Sequence, residues 1–161
     1  PRLLEYVADR GIVIGFDDLE PLDNREILEL KVDVLVPAAL ANVVTEKNAH
    51  KLHCKILAEG ANGPVTPEAD KILQEKGVFI IPGILCNAGG VVVSYFKWVQ
   101  DIQHLFWSEE QVNEKLTYLM GRSFDEVYEM AQRKKVDNRT ASMMIGVGRV
   151  AAAKHLRGLY P

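Results

Sequence analysis

Cysteine is scarce in this chain: two residues among 161, Cys54 and Cys86, far apart and outside any C-x-x-C spacing. That excludes a disulfide-stapled scaffold and reads as reduced thiols beside apolar runs. The four histidines, His50, His53, His104 and His155, form no H-E-x-x-H or His/Cys cluster, so no metal is expected. Basic charge is not in excess. The chain has 19 Lys and Arg against 22 Asp and Glu, a net charge of −3, and no Lys/Arg cluster interleaved with aromatics. Nucleic acid is therefore not an expected partner, although phosphate-bearing small molecules remain open. There is no G-x-S-x-G elbow or Ser-His-Asp ordering, no internal repeat and no low-complexity segment.

Charge is missing altogether from residues 78 to 96, a stretch as long as a membrane span. Pro82, Gly83, Asn87, Gly89 and Gly90 interrupt it, so no membrane helix is expected. The opening Pro-Arg, followed by Glu5, Asp9 and Arg10, does not read as a signal peptide, and the expected location is cytoplasmic. At 48% hydrophobic and 25% charged, the chain suits one globular domain, or one with a small helical appendage.

What is present reads as alternating strands and helices. Residues 1 to 10 read as the end of a helix closed by Gly11, and "IVIGF" (12 to 16) as a β-branched strand. Asp23 and Glu26 have capping-box spacing ahead of a short amphipathic helix. "VDVLVPA" (32 to 38), "KILAEG" (55 to 60) and "VFIIPG" (78 to 83) are runs expected of strands covered on both faces. Thr66, Pro67 and Gly77 bracket a helix between the last two. The pattern β-α-β-α-β-α-β predicts an α/β fold with a parallel sheet and flanking helices.

From residue 88 the chain reads as helical. Ser108 and Gln111 form a capping box, and Val112, Leu116, Leu119, Met120, Val127, Met130 and Ala131 share one helical face. A last helix runs from about Asp137 to His155 with Gly158 beyond, its small residues (Ala141, Gly146, Gly148 and Ala151 to Ala153) suited to close helix packing. The division expected is 1–87, the sheet part, and 88–161, a helical segment packed on it.

Ligands of such sheets bind beyond the carboxyl ends of the strands, which directs attention to the loops at 37–40, 59–64 and 82–90. Asn62 and Asn87 each follow a buried strand, and an amide can hold a carboxamide or a ribose hydroxyl; an Asn beside Gly is also an ordinary turn former. Gly89 and Gly90 open the helix that carries Ser94, whose hydroxyl either faces the cleft or bonds to the preceding turn. Tyr95, Phe96 and Trp98 are expected in the core, and Lys97 in solvent. Glu59, Glu68 and Asp70 receive no catalytic role, the last two being placed to stabilise a helix dipole. No G-x-G-x-x-G follows a strand; "GVGRVA" (146 to 151) lies within the last helix. The chain reads as the second half of a dinucleotide fold.

"DVLVPAAL" (33 to 40), "ILAEGANGPVTPEAD" (56 to 70), "IPGILCNAGGVVVSYFKWVQ" (81 to 100) and the closing "RGLYP" (157 to 161), in that order, resemble the glutamate dehydrogenases of the glutamate/leucine/phenylalanine/valine dehydrogenase superfamily. The resemblance implies the later part of a Rossmann-type NAD(P)-binding domain in residues 1–87, and helices in 88–161 that reach toward a substrate domain. It implies reversible oxidative deamination of L-glutamate to 2-oxoglutarate and ammonia with NAD or NADP, and a homo-oligomeric, commonly hexameric, parent. By the same resemblance Ala38 and Ala39 pass beside the cofactor, Asn62 contacts its ribose and nicotinamide side, and Asn87 holds the nicotinamide region. Val91 and Ser94 would line the substrate pocket, Ser94 donating to the distal carboxylate. Lys97 departs from the family's usual glutamate. The family's catalytic lysine and aspartate, and its glycine-rich phosphate loop, belong to segments upstream of those matched, so no catalytic residue is assigned in this chain and NAD is not separated from NADP. A leucine, phenylalanine or valine enzyme, and a free-standing nucleotide-binding regulatory module, are the alternatives.

Overall fold

The structure, a computed structural model, describes residues 2–18 and 21–158. Helix α1 (Arg2–Arg10) stops where Gly11 takes a positive φ of 72° and donates its N–H to the Val7 carbonyl at 2.8 Å. The expected strand at 12–16 does not form. Ile12, Val13 and Ile14 are more than half exposed, Gly15 turns the chain at φ 84°, and a 3-10 turn follows at Phe16–Asp18. β-branched residues favour a strand only where a neighbour offers a ladder, and among the described residues none pairs with this segment.

Asp23 caps α2 (Asn24–Glu29) through the expected reciprocal box: its Oδ1 accepts from the Arg25 and Glu26 N–H groups, and Glu26 Oε2 accepts from the Asp23 N–H. Three short strands follow, β1 (Val34–Leu35), β2 (Ile56–Ala58) and β3 (Phe79–Ile81), in the order β1-β2-β3 and parallel throughout. Leu35 pairs with Leu57, and Leu57 with Ile80. The alternating pattern expected a helix between β1 and β2. The chain instead runs through a loop and a 3-10 turn (Ala49–Lys51), pinned by Asn48, which accepts from the Thr45 N–H and donates to the Val43 carbonyl. Lys76 Nζ adds bonds to the carbonyls of His50 and Leu52. Polar groups placed to satisfy loop backbone remove the need for a helix there.

Helix α3 (Pro67–Glu75) begins as expected, with the Thr66 hydroxyl accepting from the Ala69 N–H and Pro67 in the first turn. Its buried Ala69 and Leu73 close a core with Leu35, Val44, Leu52, Leu57, Val65 and Ile80. A second cluster joins Leu85 of α4 (Gly83–Cys86) to Val127 and Ala131 of α6 (Glu109–Lys134) and Ala141 of α7 (Asn138–Arg157). Ile81 packs on this cluster from β3, and Asn138 donates to the Ile80 carbonyl at 2.8 Å, so sheet and helices meet at β3. Helix α5 (Ala88–Gln103) packs against α4 and α6 and is ended by His104 in the left-handed region.

The expected capping box at Ser108 is formed, Asp137 at the expected start of α7 caps it by accepting from the Thr140 N–H, and Gly158 ends that helix. Of these small residues Ala141 is fully buried and Gly146 half-buried; Gly148 and Ala151 to Ala153 face outward. Leu159 to Pro161 of the closing "RGLYP" lie outside the described residues. Among the described residues, no helix is long and apolar enough to cross a membrane.

Candidate functional site

The loops leaving β1, β2 and β3 converge at the carboxyl end of the sheet. The Ala61 N–H donates to the Pro37 carbonyl at 2.9 Å, tying the second loop to the first. Gly60 lies so close to the first loop that a Cβ there would stand 3.0 Å from Ala38 Cβ. A side chain at this position would push the first loop back by a few tenths of an ångström, whereas glycine leaves the approach unstrained. The Glu59 N–H donates to the Ile81 carbonyl, carrying the ladder past the strand end toward the third loop.

Asn62 and Asn87, predicted separately from sequence, are brought together: Asn87 Nδ2 donates to Asn62 Oδ1 at 2.7 Å, with a longer reach of 3.4 Å to the Gly60 carbonyl. Asn62 is exposed and Asn87 half-buried at the junction of α4 and α5. Within this pairing Asn87 Oδ1 and Asn62 Nδ2 have no hydrogen-bond partner among the described residues, leaving one acceptor and one donor. That set matches a primary carboxamide, which offers N–H and C=O in the same plane.

Ala38 and Ala39 are exposed and, with Ile27, Leu28, Pro37 and Leu40, line a cavity of about 350 Å³ beside β1. Val91 is 73% exposed in the first turn of α5. Ser94 is also exposed, and its hydroxyl donates to the Gly90 carbonyl at 2.9 Å, the back-bond to the preceding turn. It touches neither asparagine, but shares with Asn87 the start of one helix. Of the aromatics expected in the core, Phe96 is buried against Trp107, whereas Tyr95 and Trp98 are each 57% exposed and lean on one another. They lie on the face of α5 turned from α6. Lys97 is exposed, as expected.

Beneath the amide pair lies a group that sequence reasoning missed. Glu59 is fully buried; its Oε1 accepts from Arg139 Nη2 at 2.6 Å, and its Oε2 from Arg139 Nη1 at 3.1 Å and the Gly83 N–H at 2.7 Å. Arg139 also donates to Asp70 Oδ1, while Asp70 Oδ2 accepts from Gln74. Asp70, expected as a helix-dipole carboxylate in the first turn of α3, is also a buried ion-pair member. Burial opposes the charge of Arg139, but hydrogen bonds and the field of both carboxylates hold its pKa above the ordinary range. Cys86, close by, has its thiol pushed up by burial and then by the charge of Glu59. The one sequence signal was a lone acid at the end of an apolar strand; its partner lies 80 residues away.

The chain matches the family model described as Glutamate/Leucine/Phenylalanine/Valine dehydrogenase over residues 1–158. It is 47% identical over 159 residues to an NAD-specific glutamate dehydrogenase of Staphylococcus aureus (strain COL), covering 96% of this chain and 38% of that protein. It is 46% identical to a glutamate dehydrogenase of Thermotoga maritima, over 99% of this chain and 38% of the relative. The hetero-hexameric glutamate dehydrogenase of Thermus thermophilus, in a leucine-bound form, superposes with a TM-score of 0.89 at 32% identity, covering 99% of this chain and 37% of that one. The chain thus spans about 38% of the length of the curated relatives it matches. On this match, nearly end to end, the chain belongs to the glutamate/leucine/phenylalanine/valine dehydrogenase family.

Proposed function

We propose that this chain is the nicotinamide-facing part of an NAD- or NADP-dependent glutamate dehydrogenase, catalysing reversible oxidative deamination of L-glutamate to 2-oxoglutarate and ammonia together with residues outside the chain. The observation that carries this reading is the Asn62–Asn87 amide pair at the carboxyl end of the sheet, where its unspent acceptor and donor suit a carboxamide. Residues 1–87 form the cofactor side, and 88–161 the helices that pack on it and reach toward a substrate domain. The large apolar residues open on α7, among them Val147, Val150 and Leu156, suit cover by that domain or by neighbouring subunits of a homo-oligomer, a hexamer in this reading. A cytoplasmic location goes with the same reading.

When bound, the nicotinamide accepts the hydride of the amino-acid substrate. Asn87 and Asn62 orient its carboxamide, Gly60 lets the two inner loops close up beside it, and Ala38 and Ala39 present a small apolar wall. Ser94 turns its hydroxyl from the Gly90 carbonyl to the distal carboxylate of glutamate, with Val91 on the same helix turn flanking the side chain. A hydrocarbon side chain would leave that hydroxyl unsatisfied, which is why Ser94 favours glutamate.

The test is amino-acid-dependent NAD(P)H formation by the complete enzyme that carries this chain, with and without Ser94→Ala. Loss of a hydrogen bond to a charged carboxylate costs about 1.5–3 kcal/mol in kcat/KM for glutamate. Equal rates with glutamate for both proteins, or a preference for leucine, valine or phenylalanine, would contradict the assignment.

A further inference from the structure

Glu59 sits where it can fix both amides at once. Its backbone leads into Gly60 and, three residues on, Asn62. Its Oε2 accepts from the Gly83 N–H at 2.7 Å, and the Gly83 carbonyl in turn accepts from the Asn87 N–H at 3.1 Å. The Gly60 carbonyl and Asn62 Oδ1 both receive Asn87 Nδ2, which closes a ring of bonds around Glu59. A Cβ at Gly83 would meet the Ala61 carbonyl at 3.2 Å and Glu59 Oε2 at 3.4 Å, so the two loops are in close contact at this point.

Arg139, from the first turn of α7, grips both Glu59 oxygens in a fork and is itself held by Asp70 of α3. A buried ion pair of this kind adds little stability over apolar residues of equal volume, because desolvation offsets the attraction. What a two-pronged guanidinium does supply is direction, since it fixes the carboxylate plane.

Resting on the function proposed above, we infer that Glu59 and Arg139 are positioning residues for the reaction: through Gly83 they set the spacing of Asn62 and Asn87, and so the seating of the nicotinamide end of the cofactor. They touch neither cofactor nor substrate. Glu59→Gln removes the charge that Arg139 grips, and Arg139→Lys keeps a cation but cannot reach both oxygens.

The experiment compares these variants with wild type in the complete enzyme, reading dinucleotide KM and kcat, binding of ADP-ribose as a probe lacking nicotinamide, and the folded fraction by circular dichroism. Both variants are expected to raise the dinucleotide KM about tenfold to a hundredfold, as sub-ångström to ångström misplacement does, with ADP-ribose affinity unchanged. Arg139→Lys carries the decision if Glu59→Gln does not fold. A folded Arg139→Lys enzyme with unchanged dinucleotide KM, or with dinucleotide and ADP-ribose binding lost in step with the folded fraction, would overturn the inference. Folded wild-type enzyme that binds neither NAD nor NADP would overturn the functional reading first and the inference with it, which keeps the two failures apart.

Discussion

Beneath the amide pair, at the carboxyl ends of β2 and β3, the side chains are sealed, whereas the outer side of β1 and the second half of α7 are left bare. Leu57 and Leu52 are sealed, Pro64 and Pro82 are fully buried, and Glu59 has every oxygen occupied. By contrast Val34, Val36 and Leu40 beside β1 are half exposed or more, and Val150 and Leu156 on α7 are among the most open apolar side chains described. The difference separates what the chain builds by itself from what it offers to be covered. A site whose geometry must be held within fractions of an ångström belongs in the first region, and the amide pair is found there.

The largest effect that separates the two regions is a pair of truncations. Leu57→Ala, in the central strand, should lower unfolding free energy by about 2–5 kcal/mol, since a cavity is left in a sealed core. Val150→Ala should change it by less than about 0.5 kcal/mol in the same denaturant titration of this chain by itself, where nothing covers that side chain. Equal costs at the two positions would mean that α7 is covered as thoroughly as the sheet, and the contrast would fail.

A smaller effect sharpens the comparison at the start of α7. Burial works against the charge of Asp137, but hydrogen bonds from the Thr140 hydroxyl and N–H, then from the N–H groups of Asp137 and Arg139, outweigh it and lower the pKa from its ordinary 3.8. Its stabilisation is therefore fully present above pH 3.8 and fades as pH falls through the lower folded value. Asp137→Ala should cost about 1 kcal/mol at neutral pH, the usual worth of an N-cap. That difference from wild type should shrink in acid below pH 3.8. A difference that stays constant to the lowest pH at which both fold would assign the cap's effect to packing.

How much of this was legible in the sequence follows from the range of each interaction. The caps at Asp23, Thr66 and Ser108 are readable because donor and acceptor lie within three residues. The 12–16 run was misread because β-propensity says nothing about whether a neighbour exists to pair with. Tyr95 and Trp98 were misplaced because an aromatic stripe does not reveal which face of α5 meets α6. Asn62 and Asn87 could be singled out by their loops, but their bond depends on β2 and β3 being adjacent, a matter of topology. Arg139 was invisible as the partner of Glu59 for the same reason, with α7 brought under the sheet only by tertiary packing.

The most direct test of the central claim, that the amide pair seats a nicotinamide, is dinucleotide use by the complete enzyme carrying Asn87→Ala. The account predicts a fall of about tenfold or more in kcat/KM for NAD or NADP, equivalent to about 1.4 kcal/mol or more, with ADP-ribose binding and melting temperature unchanged. An unchanged kcat/KM for the dinucleotide in a folded Asn87→Ala enzyme would contradict it.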